Sequence, residues 1–88
     1  MLIFSIETSC DETAVAVTRN GREVLADEIY SQADMHALYG GVVPELASRN
    51  HIAVIGRLSD MALRKAGITK GDIDAVAVTY TPGLIGAL

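Results

Sequence analysis

The side chains best suited to chemistry lie together in residues 7–13, which read E-T-S-C-D-E-T. Thr8 and Ser9 supply hydroxyl groups, and the backbone N–H groups of such a turn can bind an anion. Asp11 and Glu12 supply carboxylates, which hold Mg²⁺ mostly through water. Between two strands, this combination is typical of a phosphate-binding turn. The alternative stays open, because Ser, Thr and Asp also favour turns by bonding to their own backbone.

The other reactive side chains give weaker signals. Cys10 lies beside carboxylates, which disfavour the thiolate that a nucleophile needs, so packing or simple exposure is expected. His51 borders the apolar stripe of a predicted helix, where a half-buried, hydrogen-bonded histidine is expected rather than a catalyst or metal ligand. The sequence contains no Walker motif, no dinucleotide fingerprint and no H-E-x-x-H.

Composition excludes several functional classes. The 88 residues are enough for one domain at most, and a net charge of −4 without a basic cluster lacks the signature of a nucleic-acid binder. One cysteine cannot build a disulfide framework. No apolar run approaches the ~20 residues of a membrane span, and no signal peptide is evident. We therefore expect a soluble, cytoplasmic protein.

The first half of the chain predicts three strands, at residues 2–6, 13–18 and 23–30. The first is a near-continuous apolar run, typical of a strand covered on both faces. Asn20-Gly21 predicts a tight hairpin between the second and third strands. The third strand mixes charged and apolar residues, as edge strands do. Strict alternation would place Val24, Ala26 and Glu28 opposite Leu25, Asp27 and Ile29.

A long connection, residues 31–43, then leads to a helix over residues 45–66. Pro44 suits its first turn, and Gly67 followed by Ile68 predicts a glycine C-cap. The expected apolar stripe consists of Ala47, Val54, Leu58, Met61 and Ala62. A fourth strand is predicted at residues 74–80, residues 81–83 break it, and a second helix is expected near Leu84.

This order predicts an α/β fold with a mixed sheet. The first hairpins are antiparallel, and the helix makes a right-handed crossover to a parallel fourth strand. If that strand lies beside the first, their carboxyl ends at Glu7 and Tyr80 share one edge. Ligands of open α/β sheets bind at such edges, so residues 7–13 and 81–83 are expected to be neighbours there.

Several blocks together resemble the TsaD family, also called Gcp or YgjD. They are I-E-T-S-C-D-E-T at residues 6–13, Y-G-G-V-V-P-E-L-A-S-R at 39–49 with His51 after it, D-I-D-A-V-A-V-T at 72–79 and P-G-L-I-G-A-L at 82–88. They occur in the family's order and cover the whole chain. Thr81 is a departure, because the family usually has Gly there.

The resemblance implies an actin/Hsp70/sugar-kinase-like fold with a ribonuclease-H-like sheet. It also implies transfer of threonylcarbamoyl from threonylcarbamoyl-AMP to an adenosine N6 beside the tRNA anticodon. By family analogy Ser9 and Asp11 would lie at the phosphate end of the nucleotide site, with Glu12 nearby and Asp11 as the catalytic candidate. No metal ligand is implied in this segment.

The resemblance extends to cofactors and partners. The longer protein would use threonylcarbamoyl-AMP or ATP with Mg, and would hold Fe or Zn through a later H-x-x-x-H motif. Its partners would be tRNA, TsaB and TsaE, with TsaC supplying the substrate. Residues 1–88 would form the N-terminal part of its first lobe. We expect this segment to be inactive alone and to self-associate through an exposed sheet edge.

Two alternative functions belong to other classes of protein. Another ATP-dependent phosphotransferase of this fold, such as a sugar kinase, would carry a second phosphate turn and no H-x-x-x-H. A non-catalytic, TsaB-like interaction scaffold would use residues 31–43 and the long helix as its interface, although proteins of that type begin with a different turn. The family's older label, sialoglycoprotein endopeptidase, has no support, because no nucleophile–base pair is evident.

Overall fold

The computed structural model describes residues 1–9, 12–32 and 40–79. These residues form a four-stranded mixed sheet with the order β3-β2-β1-β4. The elements are β1 (Leu2–Glu7), β2 (Glu12–Arg19), β3 (Glu23–Ser31), α1 (Pro44–Ala66), a 3-10 turn (Lys70–Asp72) and β4 (Ala75–Val78). β1 pairs antiparallel with β2 and parallel with β4. The predicted mixed sheet and the order of its elements along the chain are thus confirmed, whereas residues 81–83 and the helix near Leu84 lie outside the described residues.

The predicted hairpin joins β2 to β3. Asn20 and Gly21 have φ values of 53° and 69°, and Arg22 N–H donates to the Arg19 carbonyl over 3.1 Å. Positive φ at both central residues matches the right-handed twist of the flanking strands, which explains the choice of Asn-Gly.

β3 is an edge strand, as predicted, but its side chains do not alternate strictly. Val17 pairs with Ala26 and Thr18 pairs with Val24, so Leu25 is an extra residue in the ladder. This irregularity leaves Val24 62% exposed, while Leu25 packs against the core beside Ala26. The predicted alternation is therefore wrong at Leu25, because a bulge resets which residues face the core.

α1 begins and ends where its signals indicate. Pro44 lies in the first turn, and Gly67 closes the helix with φ 70°. The N–H groups of Gly67 and Ile68 donate to the carbonyls of Arg64 and Leu63, each over 3.1 Å. This pattern satisfies two of the carbonyls that a helix end leaves unpaired, and it places Ile68 against the core.

The core lies between α1 and the sheet, where the helix packs on β2 and β3. Its buried members are Phe4, Val15, Val17, Ala26, Leu58, Ala62 and Leu63. Met61, expected in the apolar stripe, is 39% exposed, and Leu63 is buried instead. The expected double cover of β1 is also wrong for the described residues, because only Phe4 of that strand is buried and β4 is exposed along its length.

Candidate functional site

The carboxyl ends of β1 and β4 meet at one edge of the sheet, as expected if the fourth strand lies beside the first. Ile6 pairs with Val78, and the Thr79 N–H donates to the Ile6 carbonyl over 3.1 Å. The polar residues after β1 therefore lie beside the end of β4. In open α/β sheets this is the position at which ligands bind.

Glu7 ends β1 and joins the two chain segments at this edge. Its Oε1 accepts a hydrogen bond from the Ser9 backbone N–H over 2.5 Å. Its Oε2 accepts one from the Thr79 hydroxyl, which lies 72 positions further along the chain. One carboxylate thus fixes both the start of the β1–β2 turn and the residue that follows β4.

The environment of Glu7 favours its ionised form. Desolvation by burial raises the pKa of this carboxyl, but hydrogen bonds from Ser9 and Thr79 and the charge of His51 outweigh it, so the pKa lies below its ordinary value of 4.5. Hydrogen bonds donated to a carboxylate stabilise the charged form. At neutral pH Glu7 is therefore an anion that accepts through both oxygens.

A cleft of about 380 Å³ lies between α1 and this edge. It is lined by Ile6, Thr8, Ser48, His51, Ile52, Ile55, Val78 and Thr79. Half of these residues are aliphatic, and the others carry three hydroxyl groups and one imidazole. Such a lining suits a ligand with an apolar part and a few hydrogen-bonding groups.

A buried polar pair connects α1 to β2 beside the cleft. Thr13 Oγ1 and His51 Nδ1 are 2.6 Å apart. Thr13 is 0% exposed and His51 is 4% exposed. The expectation of a hydrogen-bonded histidine is confirmed, although His51 is fully rather than half buried. Buried polar groups need such partners, so this bond fixes the register of the helix over the strand.

The predicted site residues fall in different places. Ser9 lies at the edge and donates to Glu7 through its backbone N–H. Glu12 opens β2, where it pairs with Ser31 and is exposed. Asp11, like Cys10, lies outside the described residues.

Three residues of the site were missed by the sequence reasoning. Glu7 lies at the end of one predicted strand, Thr79 within another, and Thr13 at the start of a third. The available signal was positional, since Glu7 and Thr79 lie at or near the carboxyl ends of predicted strands. Thr13 gave no signal, because its partner is 38 positions away.

The residues that the structure describes do not form a metal site, because they bring together no group of three or more His, Cys, Asp or Glu side chains. A search of the same residues for a helix long and apolar enough to cross a membrane found none.

Comparison with known proteins identifies a family model and several relatives. The family model described as "TsaD: tRNA N6-adenosine threonylcarbamoyltransferase" matches residues 23–88. A protein of that name from Clostridium perfringens (strain SM101) is 61% identical over 87 residues, which are 99% of this chain and 26% of the relative. Its namesake from Bacillus subtilis is 53% identical over 88 residues, 100% of this chain and 25% of the relative. The chain therefore spans about a quarter of the length of these relatives.

A solved structure is similar in fold. YeaZ from Pseudomonas aeruginosa superposes with a TM-score of 0.63 at 21% identity, covering 98% of this chain and 32% of that one. At this identity the likeness concerns the fold alone, which is the predicted actin-like mixed sheet. With the family match over residues 23–88 and relatives above half identity, the chain belongs to the TsaD family.

Proposed function

We propose that this chain supplies the N-terminal lobe of a transferase. The enzyme moves a threonylcarbamoyl group from threonylcarbamoyl-AMP to the N6 atom of the adenosine beside the tRNA anticodon. The observation that carries the proposal is the meeting of the β1–β2 turn and the end of β4 at one edge, in a chain of the TsaD family.

The chemistry asks for a binding surface more than for a nucleophile. The carbamoyl-adenylate is a mixed anhydride, so AMP departs readily once the adenosine amine attacks the carbonyl carbon. The protein must hold the phosphate, polarise the carbonyl and orient a weakly nucleophilic amine. We assign the phosphate end of the nucleotide to Ser9, Asp11 and Glu12, with Asp11 as the catalytic candidate.

Ser9 can serve this role by exchanging partners. Its backbone N–H donates to the Glu7 carboxylate. A phosphate at the turn would compete for this donor, and the hydroxyl, which rotates freely, can turn toward the phosphate. The backbone N–H would stay with Glu7 and keep the turn in place.

The remaining components of the reaction lie beyond this chain. We propose that the nucleotide is threonylcarbamoyl-AMP, or ATP with Mg²⁺, and that Fe or Zn is held by a later H-x-x-x-H motif of the longer protein. Its partners would be tRNA and proteins of the TsaB and TsaE types, in the cytoplasm. With one wall of the cleft, residues 1–88 alone would be inactive.

A role in assembly is also favoured by one observation. Ile52, Val76 and Val78 are 75%, 62% and 63% exposed, and they lie on α1 and on the edge strand β4. Exposed aliphatic side chains beside an unpaired strand edge promote association. We propose that residues 1–88 self-associate through this surface when they are produced without the rest of the protein.

The test of the transferase proposal is an assay of threonylcarbamoyl transfer to tRNA by the full-length protein with its partners. Asp11→Ala should abolish most of the turnover while the variant stays folded. Asp60→Ala is the matched control, because Asp60 is an exposed carboxylate of α1 outside the cleft lining. Full activity of Asp11→Ala would reduce residues 7–13 to a structural turn, and an inactive wild type would refute the proposed reaction itself.

A further inference from the structure

We propose that Glu7 is a positioning residue of the proposed transferase, acting through Ser9 and Thr79 rather than on the substrate. The inference rests on the proposed function, because it concerns the same edge of the sheet. Glu7 is hydrogen-bonded both to the turn after β1 and to the residue after β4. We call these three residues the Glu7 clasp.

The geometry separates Glu7 from the ligand side of the edge. Ile6 and Val78 line the cleft beneath α1, and successive side chains of a strand point to opposite faces. Glu7 therefore lies on the other face of the sheet, beside Ala14, Ala16 and Ile29 rather than in the cleft lining. The Glu7 carboxylate therefore supports this edge of the sheet from the face opposite the cleft.

Both partners of the clasp adjoin the cleft. Thr79 lines it directly, and Ser9 follows Thr8, which also lines it. A carboxylate that is ionised at neutral pH holds its donors more strongly than a neutral acceptor would. The clasp therefore fixes the distance between two walls of the cleft that come from opposite ends of the described chain.

The expected effect of opening the clasp is on reaction geometry. A misplacement of about 1 Å at a site can cost on the order of 10²-fold in rate. Glu7→Ala removes both hydrogen bonds, and Thr79→Val removes one of the two that define the clasp. Each should lower kcat/KM for the threonylcarbamoyl nucleotide at least tenfold, and the double variant should be no worse than Glu7→Ala.

Conservative variants distinguish a positioning role of Glu7 from a direct effect of its charge on the reaction. The Glu7→Gln side chain can still accept from Ser9 N–H, and its amide can donate to the Thr79 oxygen. Thr79→Ser keeps the hydroxyl. Both should recover most of the lost activity. If Glu7→Gln were as inactive as Glu7→Ala while Ser9 kept its hydrogen-exchange protection, the charge would act on the reaction itself and the positioning role would be refuted.

The experiment uses full-length protein, with transfer kinetics and hydrogen exchange measured on each variant. Hydrogen exchange at Ser9 reports the clasp without any reaction, and Glu7→Ala should lose its protection. Unchanged protection in Glu7→Ala, or additive losses in the double variant, would overturn the inference. If the wild type transfers nothing but Ser9 is protected through Glu7, the proposed function fails and the clasp itself stands.

Discussion

The buried pair of Thr13 and His51 gives a sharp test of how α1 is held on the sheet. The two side chains are 0% and 4% exposed, and their polar atoms are 2.6 Å apart. Thr13→Val keeps the shape of the side chain and removes only the hydroxyl. Any loss of stability therefore reports the hydrogen bond and not a cavity.

The magnitude follows from burial. Removing one partner of a buried hydrogen bond costs about 1–3 kcal/mol, because the other group stays desolvated. Valine is more apolar than threonine, which offsets part of that loss. We therefore expect the free energy of unfolding of Thr13→Val to fall by roughly 1–2 kcal/mol.

The measurement is urea unfolding of the full-length protein, monitored by circular dichroism. The midpoint urea concentrations are compared provided that the dependence of the unfolding free energy on urea is the same in each variant. Thr18→Val is the matched control, because Thr18 lies on the same strand, is partly exposed and is not bonded to His51. It should change stability by no more than about 0.5 kcal/mol. In a His51→Leu background, Thr13→Val should cost far less, since its partner is gone. Equal stability of Thr13→Val and Thr18→Val would refute the reasoning.

Three further predictions concern other parts of the chain. Folding lowers the pKa of Glu7, so its contribution to stability is present at neutral pH and is lost as the pH falls below 4.5. In Glu7→Gln the free energy of unfolding should therefore decrease less steeply with falling pH in this acid range than in the wild type. Parallel curves for the two proteins would contradict this. Gly67→Ala should destabilise the protein by about 1 kcal/mol, because φ is 70° at this position. Gly56→Ala, within α1, should instead stabilise it by about 0.5–1 kcal/mol. Changes of the same sign in the free energy of unfolding of both variants would contradict this argument from backbone conformation. Residues 1–88 alone should sediment at a mass above that of the monomer at micromolar concentration, and Val76→Lys on the edge strand should reduce this association. A monomer at that concentration would contradict self-association through the strand edge.

Local signals were sufficient for most of the fold. Asn20-Gly21, Pro44 and Gly67 each restrict backbone angles by their own chemistry, so their turns and helix ends are set without distant contacts. The helical crossover predicted that β4 runs parallel to β1, but their adjacency was only a condition of that prediction, which the fold meets. The bulge at Leu25 was not predicted, because it depends on how two strands pair and not on either strand alone.

The same distinction separates the predicted site residues from the missed ones. Ser9 and Glu12 stood out because their types are concentrated in one short turn. Glu7 and Thr79 act as a pair across 72 positions, and Thr13 and His51 across 38. Each of these side chains has an ordinary structural interpretation when it is considered alone. Only the folded sheet brings them within hydrogen-bonding distance.

The location of the Glu7 clasp explains how a carboxylate can support a site that is expected to bind phosphate. Glu7 projects from the face opposite the cleft and directs its charge to Ser9 and Thr79 rather than to the nucleotide. Those hydrogen bonds satisfy both of its oxygens and favour its charged form. The rigidity of a charge-assisted contact is thus gained on one face of the sheet, while the ligand face keeps the hydroxyl groups of Thr8 and Ser48.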